Sequence, residues 1–296
     1  MSTAFYWILN MSIMGSICLL FVLLMRFIKP LPRRAEYVLW GIPLLRLLIP
    51  VSLSYKFSLA NLLSLLFVRK VELTDSVSYA NAIQAVDSYS PMVYKTDALK
   101  GLFNVAGIIW CIVSLALILS MAILYIITLR EVKDAKLLFG RVFESDRVTA
   151  PALYGVFRPR ILVPPDMDRA TLDYVVMHET AHIRRGDNFF RCVALLVCCI
   201  HWFNPLIWLS LKLYLSDMEL AADACVLKRL TEPNKKSYGL SLLACSKPIN
   251  AFVAAFGGAK IKVRIENILS YRRLGVASSL AVAALVIAMT LALILN

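Results

Sequence analysis

Charged residues are scarce in this chain. They make up 17% of its 296 residues, against 60% hydrophobic, whereas a soluble domain carries about a quarter charged and about half apolar. One water-soluble core of this length cannot hide so much apolar surface, which excludes an ordinary soluble domain and makes lipid part of the solvent. Acids are scarcer than bases, 19 against 32. In a soluble protein that excess would suggest nucleic acid as a partner. In an apolar chain the enrichment of Lys and Arg in cytoplasmic loops explains it, so no direct nucleic-acid partner is expected. The seven cysteines include no CxxC pair, and none falls in 54–101. A thiolate metal site and a disulfide framework are therefore both without support. The start lacks a basic stretch and a small-residue cleavage site, so the first apolar run reads as a retained span rather than a removable leader.

What is present is a set of long apolar runs. Residues 6–25 carry no charge and reach about 30 Å as a helix, enough to cross a bilayer. Further spans are expected at 37–53, which contains Pro43, Arg46 and Pro50, at 102–127, and at 276–295. Arg46 reads either as a relay or as a structural partner of a neighbouring helix. Lys and Arg number four in 26–36, five in 54–101, ten in 128–187 and eleven in 212–275. That bias predicts an external N-terminus, an external loop 54–101 and a cytoplasmic face for 128–275. The apolar stretch 188–211 looks like another span on hydropathy alone. A single crossing there would put two basic segments on opposite sides of the membrane.

The chemistry lies on a predicted helix, Ala170 to Arg185, which carries His178-Glu179-Thr180-Ala181-His182. Histidines at i and i+4 share one helical face, so both imidazoles can reach one tetrahedral Zn²⁺, and Glu179 beside the first can act as the base toward water. The pattern uses two of only three histidines. The bland alternative is a solvated helix face with polar residues. A catalytic zinc needs a third protein ligand. Glu219 and Asp223, again i and i+4, supply a carboxylate ligand and a carboxylate to hold a histidine's outer nitrogen; the alternative is a pair of surface acids. If His182 and Glu219 meet at one metal, residues 183–218 must leave and return on the same side. Asn204-Pro205 is the natural break, which predicts a membrane-associated helical hairpin of 188–202 and 206–224. Val148 to Pro165, β-branched and punctuated by Pro and Gly, predicts one or two short strands. They serve either as an edge that pairs with extended substrate or as plain structure. His201, beside Trp202 and Phe203, reads as packed; Asp187 reads as a cap of the next helix, the alternative being a place behind the metal ligands.

With HETAH at 178–182, Trp202-Phe203-Asn204-Pro205 and ELAAD at 219–223, the sequence resembles the membrane metallopeptidases of the β-lactam sensor-transducers, peptidase family M56 of the BlaR/MecR type. The resemblance extends through Gly155–Pro164 and Arg264–Ile268. It implies a gluzincin-type zinc protease on the cytoplasmic side, with one Zn²⁺ held by His178, His182 and Glu219, Glu179 as catalytic base and Asp223 behind the ligands. It also implies a response to an external signal by cleavage of the chain itself, of a transcriptional repressor, or of both. Ala251–Lys262 is the flexible candidate for self-cleavage. The sensor-transducers carry a penicillin-binding domain acylated on the Ser of an S-x-x-K motif. Here no Ser lies three residues before a Lys, so direct covalent sensing of β-lactams by these residues is not expected.

The expected fold is thus a mainly α membrane protein, with about four transmembrane helices, the hairpin 188–224, and a zinc protease domain holding a small β element. Its parts are three spans in 1–127, the protease in 128–275 and a last span in 276–296. Its expected function is a signalling metalloendopeptidase in the lipid bilayer, acting on a protein at the cytoplasmic side. Two alternatives stand beside it: a housekeeping protease resembling family M48, and a non-proteolytic receptor or scaffold whose zinc is structural, with Cys225 as a fourth ligand. A homo-oligomer is left open.

Overall fold

The computed structural model describes residues 2–26, 33–49, 97–245, 261–271 and Ala284. The expected external loop up to residue 96, the final span at 276–295 apart from Ala284, and most of Ala251–Lys262 lie outside the described residues. Two described helices are long and apolar enough to cross a membrane, within Ala4–Met25 and Gly101–Arg130. The first belongs to α1 (Ser2–Met25). Arg33–Leu39 forms α2 and Gly41–Leu48 forms α3. The span expected over 37–53 is therefore two helices broken at Trp40, with Ile49 already extended. The reason is Pro43, which has no N–H to bond back to Leu39 and so falls in the first turn of a new helix, where that donor is not required. α4 (Asp97–Glu131) begins inside the expected loop and runs past the expected boundary at 127. Its Ile108, Ile112, Leu115 and Leu119 remain exposed, so the described residues leave this apolar face uncovered.

After α4 come β1 (Lys136–Phe139), β2 (Val142–Glu144), β3 (Ala152–Tyr154) and β4 (Arg160–Val163). They form one sheet in the order β1-β2-β4-β3, in which only β2 and β4 run parallel. The expected strand region supplies β3 and β4. The β1–β2 hairpin, turned by Gly140 at a positive φ, was not anticipated. Then follow α5 (Arg169–Arg185), α6 (Asp187–Ile200), α7 (Pro205–Leu227), α8 (Glu232–Ala244) and α9 (Ile261–Leu269).

α6 and α7 are the predicted hairpin. Asn204 caps α7 through Leu206 N–H at 3.0 Å, with Pro205 in its first turn. The Asn204 amide donates to the hydroxyls of Ser12 and Ser16 at 2.8 and 2.7 Å, which ties the hairpin bend to α1. His201 is fully buried there, its Nε2 3.2 Å from the Leu47 carbonyl, the packed role expected of it. Cys18, Leu19, Val22, Leu39, Leu47, Val197, Leu211 and Met218 make one core of α1, α2, α3, α6 and α7. A second core joins Leu227, Tyr238, Leu242 and Ile268 from α7, α8 and α9. A third seats the sheet on α5 through Val142, Ile161, Val163 and Val175. The site lies where α5, α7, α8 and α9 meet.

Candidate metal centre

α5 is started by Asp168, whose side chain accepts from Thr171 N–H at 2.9 Å. It is ended by Gly186 at φ +69°, a left-handed conformation that suits glycine. One face of α5 carries His178 and His182, both buried. Glu219 reaches them from the middle of α7. The Nε2 atoms of the two histidines are 3.1 Å apart, and Glu219 Oε2 lies 3.4 Å from the first and 3.7 Å from the second. Tetrahedral bonds of about 2.0–2.2 Å would separate ligand atoms by roughly 3.3–3.6 Å. Among the described residues these three side chains form the one such group of His, Cys, Asp or Glu.

The outer ring nitrogens are already engaged. His182 Nδ1 is 2.6 Å from Asp187 Oδ2. His178 Nδ1 is 2.8 Å from the Tyr238 hydroxyl, which donates to Asp223 Oδ1 at 2.6 Å. Asp223 Oδ1 is itself 3.2 Å from His178 Nδ1. With N–H on each Nδ1, both Nε2 lone pairs face one point next to a carboxylate. That arrangement suits a cation between them, and it is how metal-binding histidines are normally oriented. The residues therefore fit a divalent ion with nitrogen and oxygen ligands.

Charge in the pocket agrees. Burial works against charge on His182, but the Glu219 carboxylate and the bond to Asp187 outweigh it and push the imidazole up to about 9. Burial also opposes ionisation of Glu219, yet His182, His178 and Arg264 hold it well below the ordinary carboxylate value. Asp223 is depressed against its burial chiefly by Arg264. That arginine donates twice to Asp223, Nε to Oδ2 at 2.8 Å and Nη2 to Oδ1 at 2.7 Å. Its Nη2 is 3.2 and 3.5 Å from the two nitrogens of His178, which lays the guanidinium across the ring. Its Nη1 is 3.5 Å from Glu219 Oε2.

Of the residues singled out in the sequence, His178, His182, Glu219 and Asp223 come together. Glu179, next to His178 on α5, is half-buried. Cys225 lies apart, lining a cavity of about 390 Å³ with Met177, Ala181 and four basic residues. Asp187 takes the second of its two expected roles, behind a metal ligand, and not the favoured one of helix cap. Gly186 precedes α6 without a side-chain cap, and the Asp187 carboxylate turns inward to His182 because Arg185 and a buried imidazole offer stronger partners than backbone N–H groups. Tyr238 and the function of Arg264 were missed. They lie 15 and 41 residues from Asp223, and no local spacing signals the contact.

The sequence profile of the BlaR1 peptidase M56 family matches residues 6–268. The chain belongs to this family. It is 25% identical to the methicillin resistance mecR1 protein of Staphylococcus aureus over 309 residues, which cover 92% of this chain and 52% of that one. It is 25% identical over 302 residues to the regulatory protein BlaR1 of the same species, covering 88% and 50%. Over 105 residues it is 35% identical to the regulatory protein BlaR1 of Bacillus licheniformis, covering 33% and 17%. The chain thus spans about half the length of the relatives it matches along most of its own. Within an M56 peptidase, the His178, His182 and Glu219 group is the candidate for the metal on which such peptidases depend.

Proposed function

We propose that this chain is an integral-membrane zinc metalloendopeptidase of a signalling system. It hydrolyses peptide bonds in a protein at the cytoplasmic face, either the chain itself or a transcriptional repressor. The observation that carries the reading is the convergence of His178 Nε2, His182 Nε2 and Glu219 Oε2 within 3.1–3.7 Å of one another, with Glu179 next to His178 on the same helix. The names of the relatives, a methicillin resistance protein and a regulatory protein, support regulation of antibiotic resistance as its setting. The charge bias of the sequence supports an external N-terminus and a cytoplasmic site.

His178, His182 and Glu219 would hold the Zn²⁺. When bound, the ion supplies Lewis acidity toward the scissile carbonyl and makes water acidic enough to attack near neutral pH. Glu179 takes the proton of the attacking water and returns it to the amine that leaves as the C–N bond breaks. Asp187, Tyr238 and Asp223 keep both imidazoles turned for ligation, and Arg264 balances the buried carboxylates.

The test compares wild type with Glu179→Gln in detergent, measuring zinc per chain and self-cleavage over time. About one zinc in each, with fragments from the wild type alone, is the expected result. A folded wild type without zinc would overturn the assignment.

A further inference from the structure

Asp187 is a fully buried carboxylate with both oxygens engaged. Its Oδ2 takes His182 Nδ1 at 2.6 Å, and its Oδ1 takes Arg185 Nε at 3.1 Å and the Tyr37 hydroxyl at 2.9 Å. Arg185, two residues away, also reaches Oδ2 through its Nη2 and is itself tied to the Met218 carbonyl of α7 at 2.8 Å. Tyr37 comes from α2, 150 residues distant. It is held firmly: its ring stacks on Tyr214 of α7 at 5.6 Å and 14°, and the Arg185 guanidinium lies over it at 4.6 Å. The end of the same segment is fixed to α7 by Trp40 Nε1, which donates to Asp217 Oδ2 at 2.8 Å. The other oxygen of Asp217 takes Arg26, just after α1, at 3.0 Å.

We propose that Tyr37 is a positioning residue of the metal centre: its hydroxyl holds Asp187, Asp187 holds His182, and α2 thereby couples the segment after the first apolar helix to one ligand. The inference rests on the reading of His178, His182 and Glu219 as a metal site. The direction of the effect follows from the hydrogen bonds. Displacement of α2 along α7 withdraws the phenol and leaves the carboxylate to Arg185, which moves the rotation of Asp187, and of the imidazole bonded to it, toward the geometry that the arginine alone sets. The outer partners of a ligand histidine typically change metal affinity by about 10–100-fold; a hydroxyl one step further out belongs at the low end of that range. Tyr214 provides an internal control. Its hydroxyl is 3.4 Å from that of Tyr37 in the same stack, and Asp187 is not among its hydrogen-bond partners.

The test uses the full chain in detergent with Co²⁺ as probe, reading affinity by chelator competition and ligand geometry from the Co²⁺ absorption spectrum. Tyr37→Phe keeps the ring stack and removes only the hydroxyl. Its expected effects are an affinity roughly tenfold weaker and an altered spectrum, with Tyr214→Phe like wild type in both. In an Asp187→Asn background, Tyr37→Phe should add no further loss. Wild-type affinity and spectrum in Tyr37→Phe would overturn the proposal. So would equal losses in Tyr37→Phe and Tyr214→Phe, which would mark general loosening of the stack. If Tyr37→Phe does not fold, Asp187→Asn is read by the same two signals, and an unchanged spectrum there overturns the relay. A folded wild type that binds no Co²⁺ removes the metal reading itself, an outcome distinct from failure of the relay alone.

Discussion

At the scale of single residues, each of the two outer carboxylates is held by an arginine through both oxygens and by a tyrosine hydroxyl. Asp223 is gripped by Arg264 through two bonds and by Tyr238 through a third. Removing the cation with Arg264→Gln leaves a buried charge short of a partner and frees the Asp223–Tyr238 pair from its anchor. A loss of about 10–100-fold in metal affinity is expected, measured by competition with a chelating dye. The affinity should also depend on pH with a definite sign. His182 is raised to about 9 in the metal-free chain, and a ligand imidazole must be deprotonated, so a proton competes with the ion at every pH below that value. Affinity should therefore climb from pH 6 toward 9, by up to about tenfold per pH unit for each proton displaced, and then level off. A titration flat across that range would contradict the charge balance derived for the pocket. HETAH and ELAAD were legible because each lies within one helix turn, where spacing in sequence is spacing in space. Arg264, Tyr238 and Tyr37 were not. Each joins the site across a tertiary contact that leaves no periodic trace.

At the scale of elements, α1 and α3 approach closely at Gly15, where a Cβ would run into the Leu47 side chain. Gly15→Val should force the pair apart at a cost of about 1–3 kcal/mol, seen as a lower melting temperature in detergent. Gly41, with open space around it, should tolerate alanine. The hairpin α6–α7 was readable from Asn204-Pro205, because a cap followed by a proline is a local instruction. The break at Trp40 was obscured by an apolar run that suggested one span, although Pro43 already carried the signal. The β1–β2 hairpin escaped notice because Leu137, Leu138 and Phe139 are exposed, so the strand lacks the alternation that marks a half-buried one.

At the scale of the whole molecule, the two helices long and apolar enough to cross a membrane, within Ala4–Met25 and Gly101–Arg130, and the basic character of 128–187 yield a prediction about sidedness. Phe157 is the most exposed large apolar side chain of the sheet region, at 89%. In intact cells, Phe157→Cys should gain no label from a membrane-impermeant maleimide above the wild-type background, and should gain it once the cells are opened. Labelling from outside would reverse the orientation and place the site away from a cytoplasmic repressor. Hydropathy located the two long apolar helices, because length and apolarity suffice for that. It carries no sign that 188–211 is divided between two helices, Asp187–Ile200 and Pro205–Leu227.

The joint between α5 and α6 is a single residue, Gly186, with His182 four positions before it and Asp187 immediately after. One inserted residue there would rotate α6 by about 100° about its axis. Asp187 would swing away from the imidazole it serves, and the apolar face of α6 would leave its core. The bend at His201–Asn204 is nearly as taut, since Asn204 is fastened to Ser12 and Ser16. The stretch from His178 to Glu219 therefore has no slack to absorb a change of length. Across sequences that carry this site, insertions and deletions should gather outside it, and the interval of 41 residues between the first histidine and the glutamate should behave as a fixed ruler.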